Sequence, residues 1–170
     1  RIPRAVPCSE QQTWRFRDSL HITRKDEDAV WAEIAVAHSF WRSLRCIATA
    51  ADIAALHDLR RAASMVYMTG RIDADNRTLE QTREWLQIKG IDKNPTVVMQ
   101  GDKSTGVLTL EGCGYSVIGI IDDKPAVLEA LRDAGLPVTA MARPYNAHVE
   151  GVSRVATVAE WAAECMGRLK

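Results

Sequence analysis

The chain has no excess charge, no long apolar run and no cysteine pattern of a metal site, and each absence removes a class of function. Lysine plus arginine and aspartate plus glutamate number 22 each in 170 residues. No net field therefore draws the protein toward nucleic acid or an anionic membrane, although a local basic patch stays open. No apolar stretch approaches the roughly 18 residues of a membrane-spanning helix, and no segment has the layout of a signal peptide. Cys8, Cys46, Cys113 and Cys165 show no CxxC or histidine-paired zinc spacing; thiols in a reducing cytosol are expected. His21, His38, His57 and His148 are scattered, and a structural role is expected of each. With no internal repeat and no low-complexity linker, the reading is a cytoplasmic protein of one domain, or one domain with a small appendage.

What is present divides near residue 60. Before it, Val30, Ile34, Ala37 and Trp41 recur at helical spacing, which predicts an amphipathic helix over 26–41, and Ile53, Leu56 and Leu59 predict another over 52–61. After it, short apolar runs alternate with amphipathic segments. Strands are expected at 65–68, 96–99, 116–121 and 138–141, with helices at about 78–89, 125–134 and 157–168. Gly90 and Gly135 mark two helix ends and Pro125 a helix start. Such alternation implies an α/β fold with parallel strands and helices on both faces of the sheet.

Two strand ends carry chemistry. The run Gly119-Ile-Ile-Asp-Asp-Lys-Pro125 ends in adjacent carboxylates, Asp122 and Asp123. Magnesium favours such hard oxygen donors, and like charges side by side are costly without a cation. Asp123 is the first candidate ligand and Asp122 the second; a helix N-cap is the competing role. Met65-Val-Tyr-Met68 leads into Thr69-Gly70-Arg71. There a hydroxyl, a backbone N–H free of side-chain obstruction and a guanidinium suit a phosphate, although Thr and Gly are also ordinary turn residues. In open α/β sheets ligands bind at the carboxyl ends of the strands. Lys103, in Gly101-Asp-Lys-Ser-Thr105, is a candidate cation for the same phosphate, and a solvated lysine beside Asp102 is the alternative.

Aromatics make up only 6% of the chain, yet Trp14, Phe16, Trp31, Phe40 and Trp41 gather in its first quarter. Core packing of a small helical bundle accounts for most of them. Trp14 and Phe16, flanked by Arg15 and Arg17, are the better candidates for stacking on a nucleobase.

The order Thr69-Gly70-Arg71, Lys103, Ile120-Ile-Asp-Asp-Lys-Pro125 resembles the second, third and fourth signature motifs of the haloacid dehalogenase superfamily of phosphohydrolases. Arg143-Pro-Tyr-Asn146, Arg154-Val155, Glu160-Trp161 and Phe40-Trp-Arg-Ser-Leu44 look like its 5′(3′)-deoxyribonucleotidase branch. The likeness covers roughly residues 38–165. It implies a three-layer Rossmann-like parallel sheet over 61–170, with a small N-terminal helical cap over 1–60. It also implies a magnesium-dependent phosphatase acting on a nucleotide or nucleic-acid-end phosphomonoester through an aspartyl-phosphate. In that scheme Thr69, Lys103 and Asp123 are catalytic, Gly70, Arg71, Trp14, Arg143 and Asn146 bind substrate, and Asp122 and Asp123 hold Mg2+.

Two departures accompany the resemblance. No strand ends in the superfamily's Asp-x-Asp, whose first carboxylate attacks phosphorus. Residues 1–8 carry no acid, and neither Asp52 nor Asp58 follows a strand signal. An upstream segment of about 15 to 25 residues carrying that strand is expected. The alternatives are an inactive phosphate- or nucleotide-binding protein on the same fold and a phosphatase part of a larger polypeptide. The second departure is Gly106-Val-Leu-Thr-Leu110, which reads as strand or loop where many relatives have a helix after the lysine.

Overall fold

The computed structural model describes residues 11–71 and 77–170. The acid-free segment 1–8, with Cys8, lies outside the described residues, as does the side chain of Phe16. In chain order the elements are α1 (Phe16–Leu20), α2 (Arg24–Val36), α3 (Phe40–Ser43), α4 (Ala50–Ala62), β1 (Val66–Thr69), α5 (Arg77–Ile88), β2 (Thr96–Met99), α6 (Lys103–Gly112), β3 (Ile120–Asp122), α7 (Pro125–Asp133), β4 (Val138–Met141), β5 (Ser153–Val155) and α8 (Val158–Arg168), with a 3₁₀ turn at Pro144–Asn146. The fold is mixed α/β, and every ladder among the described strands is parallel. The strands form two small sheets, β1-β2 and β3-β4-β5. Among the described residues no helix is long and apolar enough to cross a membrane, and Cys46, Cys113 and Cys165 are free thiols.

The chain forms two compact units. One holds the described residues up to Val36 together with Gly119–Ala156; the other holds Ala37–Ile118 and Thr157–Lys170. In the first, β3 pairs with β4 from Ile120↔Val138 to Asp122↔Ala140, and β4 pairs with β5 from Thr139↔Ser153 to Met141↔Val155. Thr139 and Ser153 join their hydroxyls across that ladder at 2.8 Å. Pro125 opens α7, whose Leu128 and Leu131 are fully buried, and α7 lies against β4. A proline at the first helical position costs no hydrogen bond and presets φ.

In the second unit β1 and β2 pair from Val66↔Thr96 to Thr69↔Met99. Helix α4 starts with a reciprocal capping box between Thr49 and Asp52 and buries Leu56 and Leu59. It lies along α8, which buries Trp161, Ala162 and Cys165. Asp52 also accepts from the Ala159 N–H at 3.0 Å, so one carboxylate serves the first turns of both helices. Behind β1, Asp92 is 2% exposed, ion-paired with Arg60 and bonded by the Asn94 N–H at 2.9 Å. Burial first, and then the Asp92 charge, push the Tyr67 phenol well above its ordinary value.

Three expectations about the elements change. The helix expected over 26–41 ends at Val36, and α3 begins separately at Phe40. There the Trp41 N–H donates to Gln81 Oε1 at 3.0 Å and α3 lies against α5, so the apolar spacing ran on through a helix end. The strand expected from Ser116 reduces to Ile120–Asp122, because β4 begins only at Val138 and pairs no earlier residue. Gly106–Leu110, expected as strand or loop, lies in α6. Asp102 starts that helix by accepting from the N–H groups of Ser104 at 3.1 Å and Thr105 at 3.4 Å. The β-branched and glycine residues hid it, yet Gly106 has a packing reason: a Cβ there would meet Met68 Cε at 2.8 Å and Gln100 Cγ at 2.9 Å. The described strands within 61–170 lie in two small parallel sheets. By contrast Gly90 and Gly135, with φ of +68 and +72 degrees, follow α5 and α7 as expected.

Candidate functional site

The predicted site residues fall into two groups, each at the carboxyl end of one sheet and each within one unit. In the first unit Asp122 is the last residue of β3 and is buried. Its Oδ1 accepts from the Lys124 N–H at 2.9 Å, which shapes the turn into α7. Asp123 is half-buried; its Oδ2 accepts from the Tyr145 hydroxyl at 2.6 Å and its carbonyl from Asn146 Nδ2 at 2.8 Å. The N-cap position of α7 is Lys124, whose side chain makes no bond to the first turn.

Asn146 was expected to touch substrate, but it is completely buried. Its Nδ2 donates to the carbonyls of Asp123 and Met141, at 2.8 and 2.9 Å. Its Oδ1 accepts from the Arg143 N–H at 3.1 Å and from Arg154 Nη1 at 3.0 Å. A side-chain amide has two donors and two acceptor lone pairs, so its capacity is spent inside the fold, tying the residue after β3 to the end of β4. Arg154 completes the tie, donating through Nη2 to the carbonyls of Asn146 and Val149. Arg143 is half-buried, with Nη1 on the Ala142 carbonyl at 2.8 Å. Trp14 stands edge-on to Tyr145, with ring centroids 5.5 Å apart, and is 41% exposed.

In the second unit the Gln100 N–H donates to the Thr69 carbonyl at 2.8 Å. That bond sets Thr69-Gly70 beside Gln100-Gly101 at the carboxyl end of β1-β2, with Lys103 opening α6 one step on. Gly70 has no positive φ, and a Cβ there would lie 3.7 Å from the Gln100 carbonyl oxygen and the Gly101 Cα. Arg71 Cζ sits 4.0 Å from the Trp41 ring centroid, and its Nη1 donates to Thr82 Oγ1 at 2.9 Å. Burial lowers its pKa from the ordinary value, but a guanidinium stays protonated. The result is an oriented, partly desolvated cation. Asp102 caps α6, and its bonds from Ser104 and Thr105 hold its pKa below the ordinary carboxylate value.

For magnesium the donor chemistry fits in part. Asp122 and Asp123 are adjacent hard-oxygen donors, and the fold engages both carboxylates. Magnesium retains several waters and takes only one or two protein carboxylates at many sites. Among the described residues no group of three or more His, Cys, Asp or Glu side chains is placed to hold a metal ion.

Three features escaped sequence reasoning. Tyr145 lies within a quoted motif, but its hydroxyl's partner is distant in sequence. Trp41 serves as the face on which Arg71 rests. Asp52 is a structural cap, and the Thr49-x-x-Asp52 spacing was a legible signal for it. No family model, no curated protein and no solved structure matches the chain.

Proposed function

We propose that the chain carries the metal- and phosphate-binding parts of a magnesium-dependent phosphatase acting on a phosphomonoester of the nucleotide class. The observation that carries this reading is the carboxyl end of β3. There Asp123 is held from two sides, by the Tyr145 hydroxyl and by the saturated Asn146 amide, beside a second carboxylate. A fold invests in such a fixed pair when it must present negative charge in a defined geometry. Bound magnesium would supply a positive charge that offsets the substrate's phosphate. The Asp122 and Asp123 oxygens would hold it, while Tyr145 and Asn146 keep Asp123 in place.

To the other strand end the reading assigns the phosphoryl oxygens. Thr69 would donate its hydroxyl, Gly70 its N–H, and Arg71 a guanidinium already stripped of part of its water, while Lys103 would balance the remaining charge. The helix after Lys103 removes the second departure from the haloacid dehalogenase pattern. A three-layer Rossmann-like core with a helical cap belongs to the same reading, as does attack by a carboxylate of an Asp-x-Asp strand. Arg143 remains a substrate contact in it, whereas Asn146 becomes a positioning residue. A non-hydrolysing phosphate or nucleotide binder is the second reading, favoured by the described strands, none of which ends in Asp-x-Asp.

Phosphate release from a panel of nucleoside monophosphates, with magnesium and with EDTA, separates the two. Magnesium-dependent release, reduced at least ten-fold by Arg71→Ala, is expected of the phosphatase. Binding without release at any magnesium concentration would favour the binder, and neither binding nor release would overturn both.

A further inference from the structure

Beside Asp123, within one unit, lies an open cleft of about 420 Å³ lined by Trp14, Arg15, Asp18, Lys124, Tyr145 and His148 among others. Its volume is in the range of small-molecule sites. Its lining divides by chemistry. Trp14 presents a large ring that is 41% exposed and braced edge-on by the buried Tyr145 at 5.5 Å. A half-exposed indole fixed by a neighbouring ring is a stacking platform with little entropy left to lose. The cationic side is made by Arg15 and Lys124, whose Nζ lies 6.0 Å from the Trp14 ring centroid. It is reinforced by the start of α7, a helix of 9 residues whose Lys124-Pro125-Ala126 opening lines the cleft; Pro125 has no N–H and the Val127 N–H donates to the Lys124 carbonyl at 3.0 Å, so this end acts chiefly through the helix dipole. The positive end of the helix dipole favours an anion there.

We infer that this cleft binds a small planar aromatic anion, with the ring stacked on Trp14 and the anionic group held by Lys124, Arg15 and the first turn of α7. The lysine stem is flexible and exposed, so its ammonium can leave the indole face for the ligand's anion as the ring arrives. A ring without charge would forgo the cations, and a charge without a ring would forgo the platform. The site uses no metal and does not rest on the phosphatase reading. A nucleotide and an aromatic carboxylate share the required chemistry.

Calorimetric titration of the whole protein in EDTA tests this with AMP and 1-naphthoate as aromatic anions, adenosine as ring alone and inorganic phosphate as anion alone. The expected result is that at least one aromatic anion binds ten-fold or more tightly than adenosine and phosphate. Trp14→Ala should weaken that binding about ten-fold, in line with the worth of one stacked base, with Trp14→Phe recovering most of it and Lys124→Gln losing several-fold. Tighter AMP would identify a nucleotide as the source, and tighter 1-naphthoate a carboxylate. Binding of neither, adenosine or phosphate matching the aromatic anions, or unchanged affinity in Lys124→Gln would overturn the inference. The lysine variant alters an exposed side chain and decides the matter even if Trp14→Ala does not fold.

Discussion

Tyr145 donates its hydroxyl to Asp123 Oδ2 at 2.6 Å while its ring is 5% exposed, so a core residue fixes the orientation of a carboxylate at the end of β3. Removing only that hydroxyl, in Tyr145→Phe, keeps the ring and frees the carboxylate to rotate. Stability should fall by about 1.5 kcal/mol, the low end for a bond to a charged group because Asp123 is partly solvated. The magnesium concentration for half-maximal phosphate release should rise about ten-fold, as is typical when a ligand's supporting partner is lost. Thermal melts and a magnesium titration read the two effects separately.

Asn146 is the larger structural commitment. In Asn146→Ala the Asp123 and Met141 carbonyls lose their donor, and the Arg143 N–H and Arg154 Nη1 lose their acceptor. An unsatisfied buried group costs about 1–3 kcal/mol. Some of these groups will find water, so a net loss of about 3 kcal/mol in urea denaturation is expected. Asn146→Asp should be similarly costly, because the Asp123 and Met141 carbonyls would then face an acceptor.

Asp52 gives the fold a dependence on acid. Its pKa is lowered first by the Thr49 backbone N–H, with the Thr49 hydroxyl and the Ala159 and Val158 N–H groups adding to it, against an opposing effect of burial. A carboxylate lowered in the folded state adds stability that is fully present above its unfolded value, near 4, and lost as pH falls through the folded one. Asp52→Ala should therefore cost about 1–2 kcal/mol at pH 7, the range of a lost cap. The difference from the parent should shrink below pH 4. Denaturation midpoints at pH 7, 5 and 3 check the trend.

The sequence was most legible where local chemistry and packing agree. Pro125 and Gly135 bound α7 as expected, and the structure buries Leu128 and Leu131 between them. The short strand at Thr96–Met99 was readable from its compact apolar run. The reading failed where a tertiary partner decides the outcome. Helical spacing through Trp41 hid a break whose far side is held by Gln81, forty residues on, and α6 depends on the fit of Gly106 against Met68 and Gln100. Candidate site residues were legible as residue types at strand ends. Their roles were not, because Asn146 looks like a ligand contact until its four amide bonds are seen inside the fold.

The most direct measurement is phosphate release from a nucleoside monophosphate as magnesium is titrated, in the parent protein and in Asp123→Asn, with folding of both checked by circular dichroism. The account predicts magnesium-dependent release in the parent and a loss of at least a hundred-fold in the variant, since the amide removes the charge that holds the ion. Equal release with the same magnesium dependence in both proteins would contradict it.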